Sequence, residues 1–302
     1  MNKEKHSLIK LKEWIFEDPN IPFDFSNTLE GLRVKRRLYS KKSPYQKIEV
    51  FDTVEFGKIL VLDKIFQTSE KDEFVYHEMI CHLPIFYFLN KNKKIPERVL
   101  IIGGGDGGSL EEVLKHPIKE VWMSEIDKRV SDISKKYLPS ISRGAFNNKR
   151  AKLLFEDGKK IIEKYNNFFD LIILDLSDPM GPAKDLISTA FYTKVKKSLR
   201  KGGIISVQSG SLGCQPDLVA LIFKRLKKVF PFVKVHRACV PLYGLGEFSF
   251  TIAAKFNLQK EINKARLMKN YKSLKPSLRY YSPEIHFSSG ILPAYLVKKI
   301  GA

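Results

Sequence analysis

Three carboxylates set the chemistry this sequence can support. Asp106 lies inside the glycine run of RVLIIGGGDGG, and Asp175 and Asp178 lie in DLIILDLSDPMGPA. The apolar run LIIL reads as a strand covered on both faces. Asp175 and Asp178 therefore fall at its carboxyl end, the edge at which open α/β sheets bind ligands. Carboxylates gathered this closely repel one another unless positive charge lies between them. An aliphatic amine, with a pKa near that of lysine at about 10.4, arrives protonated and non-nucleophilic. One carboxylate can bind it while another takes its proton as it attacks. Helix capping or turn formation is the alternative use of an aspartate at such places, and either needs only one acid.

The glycines around Asp106 point to a nucleoside. Gly103, Gly105 and Gly108 satisfy G-x-G-x-x-G between the strand VLII and a helix opening near Ser109. Glu125 and Asp127 follow about 20 residues on, where an acid can accept both ribose hydroxyls. This pattern suits a nicotinamide dehydrogenase, a methyltransferase-like enzyme or another nucleoside binder. A carboxylate at Asp106 would repel a pyrophosphate, so a cationic ligand is the better match. Asp157, between Glu156 and Gly158 after the strand AKLLF, can accept from an adenine amino group or cap the next helix. Tyr76 and His77 in YHE, and Tyr243 in PLYG, offer phenols and an imidazole of ambiguous purpose. No pair of histidines or cysteines has metal-ligand spacing, so no metal is expected, and there is no G-x-S-x-G elbow.

The elements that must carry these residues read as an α/β protein. Residues 1–75 form a β-rich domain: KIEVFDTVEFGKILVLDKIFQTSE alternates apolar and polar residues, with a hairpin turn at Gly57. From Asp72 the spacing of Phe74, Val75, Met79, Ile80 and Leu83 predicts a helix that breaks at Pro84. Residues 76–302 form the catalytic α/β domain with a C-terminal extension. Strands at VLII, VWMSEI, AKLLF, FDLIILDL and GIISVQ alternate with helices such as TAFYTKVKKSL and DLVALIFKRLKKVF, as a mostly parallel twisted sheet requires. FVKVHRACV and FSFTIAAK can close the sheet as a hairpin, and a short helix is expected in LPAYLVKKI.

Composition narrows the class. The 302 residues are 43% apolar, enough for a large core, and no apolar run approaches the roughly 20 residues that span a bilayer. The N-terminus lacks a signal-peptide core, and Cys81, Cys214 and Cys239 are far apart. Both features argue for a reducing, cytoplasmic setting without disulfides. Lys and Arg total 53 against 33 acids, a formal charge of +20. That favours contact with polyanions, and a nucleic-acid-binding protein is the reading of a different class. The basic residues are spread along the chain, however, and a solvated basic surface accounts for them without nucleic acid.

With these residues in view, the sequence resembles the polyamine aminopropyltransferases, the spermidine synthase family. The resemblance runs through SPYQ, GKILVLD, DEFVYHEM, VLIIGGGDGG, EID, DPMGPA and LRYYSPEIH, in order across nearly the whole chain. It implies a small N-terminal β domain on a methyltransferase-like, Rossmann-like domain. It also implies transfer of a 3-aminopropyl group from decarboxylated S-adenosylmethionine, a co-substrate rather than a cofactor, to an amine with release of methylthioadenosine. Putrescine is the expected acceptor, with spermidine or agmatine as alternatives. The resemblance assigns Gln46, Asp106, Glu125, Asp157, Gly158 and Pro182 to the donor. Asp175 would be the catalytic proton acceptor, and Tyr76, His77, Asp106, Asp175, Asp178 and Tyr243 would hold the acceptor amine. A homodimer or homotetramer through the N-terminal domain is implied. Three positions depart from the family pattern. Leu176 stands where Ser or Thr often follows the catalytic aspartate, Glu111 and Glu112 replace an Arg-Glu pair, and QSGSLGC replaces a QSE or QGE motif. The first and last resemble members that extend longer amines, such as thermospermine synthases.

Overall fold

Two sheets divide the strands. The computed structural model describes residues 13–18, 30–177, 185–244, 246–260, 262–274 and 278–301. The first sheet is an antiparallel meander of β1 (Trp14–Phe16), β2 (Gly31–Lys42), β3 (Lys47–Thr53), β4 (Lys58–Leu62) and β5 (Ile65–Ser69). Gly57 turns the β3–β4 hairpin at φ +67. The 12-residue β2 is not visible in the alternation pattern. Its sequence, GLRVKRRLYSKK, is dominated by solvated cations, and its pairing with β3 rather than its own side chains makes it a strand.

Helix α1 (Glu73–Asn92) follows and runs straight through Pro84, contrary to the break expected there. The proline removes one intrahelical hydrogen bond, at a cost of about 3 kcal/mol. Almost every residue of α1 is buried, against α2, β9, β10 and β12, and that burial outweighs one lost bond. Its polar residues are used internally. Glu78 accepts from the backbone N–H groups of Arg279, Tyr280 and Tyr281 at 2.7–2.8 Å, tying the C-terminal segment to the helix.

The second sheet alternates with helices in chain order. They are β6 (Arg98–Gly103), α2 (Gly108–Leu114), β7 (Glu120–Ser124), α3 (Lys128–Tyr137), α4 (Pro139–Ser142), β8 (Ala151–Leu154), α5 (Gly158–Lys164), β9 (Phe169–Asp175), α6 (Thr189–Ser198), β10 (Leu199–Ser211) and α7 (Pro216–Val229). The hairpin of β11 (Phe232–Ala238) and β12 (Phe248–Ala254) closes one edge, and α8 (Lys264–Lys272), α9 (Pro283–Ser288) and α10 (Ala294–Ile300) end the chain. Spatial order is β11-β12-β10-β9-β6-β7-β8, with β8 through β10 parallel and β12 antiparallel. This is the Rossmann-like architecture with a small antiparallel N-terminal domain. The chain leaves β6 in one direction and returns to β9 on the other side, so the switch point lies between them. Gly103 pairs with Asp175 across that point.

One departing pair has a structural use. Glu112 accepts from buried His82 at 2.9 Å and pairs with Lys115 at 2.6 Å, while Glu111 also pairs with Lys115. Burial holds His82 down to about 3, so its imidazole is neutral and can share its other ring nitrogen with His116. Glu78→Ala should orphan three backbone donors and lower stability by about 3 kcal/mol or more, read from urea unfolding midpoints.

Candidate active site

The backbone at the switch point brings two strands close enough to exclude side chains. A Cβ on Gly103, whose φ is +86, would stand 2.0 Å from the Asp175 carbonyl oxygen. That carbonyl instead accepts from Gly104 N–H at 2.9 Å. The glycine loop thus lies flush against the end of β9, and α2 starts immediately beyond it. A Cβ on Gly108 would stand 2.2 Å from the His77 ring, so α1 also packs directly on this loop.

Asp175 sits at the centre. Its Oδ1 accepts from Tyr76 Oη and its Oδ2 from Ser109 Oγ, both at 2.6 Å. Burial, then the charge of Asp106, raises its pKa above the usual aspartate value, partly offset by His77 and the two hydroxyl donors. Tyr76 is itself pushed well above 10 by burial and by Asp175, so it remains a phenol and a donor. A carboxylate of raised basicity, fixed by two donors, is equipped to accept a proton.

Asp106 is held differently. Its Oδ1 accepts from Gly108 N–H at 2.9 Å, and its Oδ2 lies 3.4 Å from His77 Nε2. Glu73 binds the other ring nitrogen of His77 at 2.8 Å. Burial opposes charge on this imidazole, but Asp106 and then Glu73 outweigh it, raising His77 well above 6.5. The imidazolium in turn overcomes burial at Asp106 and holds that carboxyl below its ordinary value. Neighbouring carboxylates are thus pushed apart in basicity, the pattern expected of groups with different tasks.

On the far side, Glu125 Oε1 accepts from Asp127 N–H at 2.9 Å, and burial raises its pKa to about 7. Asp127 Oδ2 accepts from Ser43 Oγ at 2.6 Å and from Gln46 Nε2 at 3.2 Å, which ties the β2–β3 turn of the N-terminal sheet to the start of α3. Asp157 caps α5 through Lys159 N–H, and a Cβ on Gly158 would meet Ile102 at 2.5 Å. Asp157 is thus a helix cap, and Asp106 bonds within the turn before α2, whose N-cap is Gly107; both also line the cavity. Tyr243 donates to the Gln67 carbonyl at 2.7 Å and sets its ring edge-on to Tyr76, centroids 5.9 Å apart.

These residues share one cavity of about 300 Å³. Gln46, Tyr76, His77, Asp106, Glu125, Asp157, Gly158, Asp175 and Tyr243 all line it. Asp178 and Pro182 lie outside the described residues. Sequence reasoning missed Ser109 and Glu73 as partners of the site. Glu73 was findable as the i−4 neighbour of His77 on a helix. Ser109 carried no signal, because only the meeting of α2 with β9 aims its hydroxyl at Asp175.

Residues 73–263 match the family described as the spermine/spermidine synthase domain, and residues 14–70 match the spermidine synthase tetramerisation domain. A polyamine aminopropyltransferase of Thermoanaerobacter sp. (strain X514) is 39% identical over 284 residues, covering 94% of this chain and 96% of the relative. One from Desulforudis audaxviator is 39% identical over 287 residues, covering 95% and 98%. Among solved structures, a spermidine synthase in complex with the transition-state analogue AdoDATO superposes with a TM-score of 0.88 at 34% identity, covering 95% of this chain and 94% of that one. The spermidine synthase from Thermotoga maritima gives 0.86 at 33% identity with the same coverage.

Because His77 holds its proton more tightly folded than unfolded, its contribution to stability is complete below about pH 6.5. That contribution should fall as pH rises through the folded value. Thermal melts of His77→Gln between pH 6 and 9 should show a flatter dependence than the parent protein; equal slopes would remove the charge from His77.

Proposed function

The chain belongs to the spermine/spermidine synthase family, and on that premise we propose that it moves the 3-aminopropyl group of decarboxylated S-adenosylmethionine onto an aliphatic polyamine. The observation that supports this most directly is that Asp175, its carboxyl raised, and Asp106, its carboxyl lowered, line one cavity together with Gln46, Glu125, Asp157 and Gly158.

In this reading Glu125 accepts from the ribose hydroxyls, and Gln46, Asp157, Gly158 and Pro182 hold the rest of the nucleoside. Asp106 pairs with the ammonium of the aminopropyl arm. The same carboxylate repels the carboxylate of ordinary S-adenosylmethionine, which selects the decarboxylated donor. Tyr76, His77, Asp178 and Tyr243 position the acceptor amine. Its nitrogen passes its proton to Asp175 and attacks the methylene carbon beside the sulfonium. The carbon–sulfur bond breaks with its electron pair going to sulfur, so methylthioadenosine leaves neutral. The sulfonium arrives already activated, and the protein's contribution is alignment and deprotonation. The same reading takes the division near residue 75 as the domain boundary, the N-terminal sheet as the contact of a homodimer or homotetramer, and the cytoplasm as the place of action.

Incubation with decarboxylated S-adenosylmethionine and a panel of diamines, triamines and agmatine should release methylthioadenosine; silence with every amine would eliminate the proposal. Asp175→Asn should reduce kcat by about 10²- to 10⁴-fold. Its methylthioadenosine affinity should stay within about threefold of the parent value, a difference of under 1 kcal/mol. Comparable loss of nucleoside binding would mean Asp175 holds the donor instead.

A further inference from the structure

We propose that Ser109 is a positioning residue for the transfer step, holding one oxygen of Asp175 so that the other meets the amine, an inference that rests on the aminopropyl transfer just described. Ser109 is the second residue of α2 and is fully buried. Its hydroxyl donates to Asp175 Oδ2 at 2.6 Å, yet Ser109 is not among the residues that line the reaction cavity. Whatever it does to a substrate, it does through Asp175.

The two oxygens of Asp175 are placed unlike one another. Oδ2 is hemmed in by Ser109 and by Gly104, where a Cβ would fall 2.9 Å from it. Oδ1 lies beside Tyr76, whose side chain lines the cavity. A carboxylate oxygen has two lone pairs, so Oδ1 can accept from Tyr76 and still take a proton from an amine. A serine inside a helix can bond back onto the preceding turn. Here the hydroxyl is spent on Asp175 instead.

The residue before Ser109 acts on the other acid, since Gly108 N–H donates to Asp106 Oδ1 at 2.9 Å. Two consecutive residues at the start of α2 thus hold the two carboxylates, and one turn of backbone sets the spacing between them. That turn is itself pinned to α1. Cys81 Sγ donates to the Ser109 carbonyl at 3.5 Å, and His82 bonds Glu112 at 2.9 Å. The hydroxyl also has an electrostatic effect. Burial and Asp106 raise the Asp175 carboxyl, while His77, Ser109 and Tyr76 lower it. Without the Ser109 donor the ionised form is less well solvated, and Asp175 holds a proton to higher pH.

The test is the pH profile of the single-turnover rate with both substrates saturating. Ser109→Ala should slow methylthioadenosine formation about tenfold or more, the scale of one hydrogen bond to a charged group. The acid limb of its profile should move to higher pH. The titratable groups facing Asp175 are Tyr76, His77 and Cys81 of α1, Asp106 of the glycine loop and Glu125 beyond β7, with Tyr243 behind Tyr76. All stay in place in the variant, so a displaced limb reports the hydroxyl. Methylthioadenosine affinity within about threefold of the parent value, under 1 kcal/mol, reports an intact site. Ser109→Thr should restore both rate and limb, and Ser109→Cys, a weaker donor of similar size, should fall between alanine and parent. A parent-like rate in Ser109→Ala, or a slower rate with the limb unmoved, overturns the inference, as does failure of both Thr and Cys to improve on Ala. Absence of methylthioadenosine from the parent protein with any amine overturns the underlying transfer reading instead, and this one with it.

Discussion

Negative charge is concentrated at the carboxyl edge of β6 and β9, and the structure around it is arranged to make that concentration tolerable. Asp106 and Asp175 face the same cavity, with Glu125 close enough to feel both. Among the described residues lining the cavity, the cation opposing them is that of His77, wedged between Asp106 and Glu73. Hydroxyls do the remainder, from Tyr76 and Ser109 onto Asp175. The outcome is a site with unequal acids: Asp106 stays ionised beside its imidazolium, while Asp175, farther from that charge, is left with greater affinity for a proton. In the proposed reaction, a cationic substrate entering the site would meet an anion for binding and a base for deprotonation.

That arrangement depends on α1 more than on the strands that carry the aspartates. Tyr76, His77 and Glu73 occupy its first turns, and the helix cannot shift without moving all three. Its position is fixed by burial on nearly every side, by Glu78 gripping three backbone N–H groups of the C-terminal segment, and by His82 bonded to Glu112 and His116. The N-terminal sheet adds a wall from the other direction through Ser43 and Gln46 on Asp127 and through Tyr243 on Gln67. Buried polar bonds of this kind contribute less to net stability than to the choice of a single geometry.

The overall charge of +20 opposes the local field of the site at long range. Salt resolves the conflict. At physiological ionic strength charges beyond about 8 Å are largely screened, so the acids within the cavity decide what binds, and the surface cations mainly govern solubility and encounter. On the proposed function, a polycation approaching this protein would be repelled weakly and then captured locally.

The sequence by itself determined the strand and helix alternation, the glycine loop, the placement of Asp106 and Asp175 at strand ends, and the family. All of these are local: hydrophobic periodicity, turn chemistry and motif spacing report on neighbours in the chain. It did not determine that β2 would be a strand or that α1 would continue through Pro84, because both are decided by partners distant in sequence that offset a poor local preference. The inequality of Asp106 and Asp175 was likewise decided by tertiary structure. Identical side chains differ in basicity only through what surrounds them, and here one faces His77 while the other faces Tyr76 and Ser109.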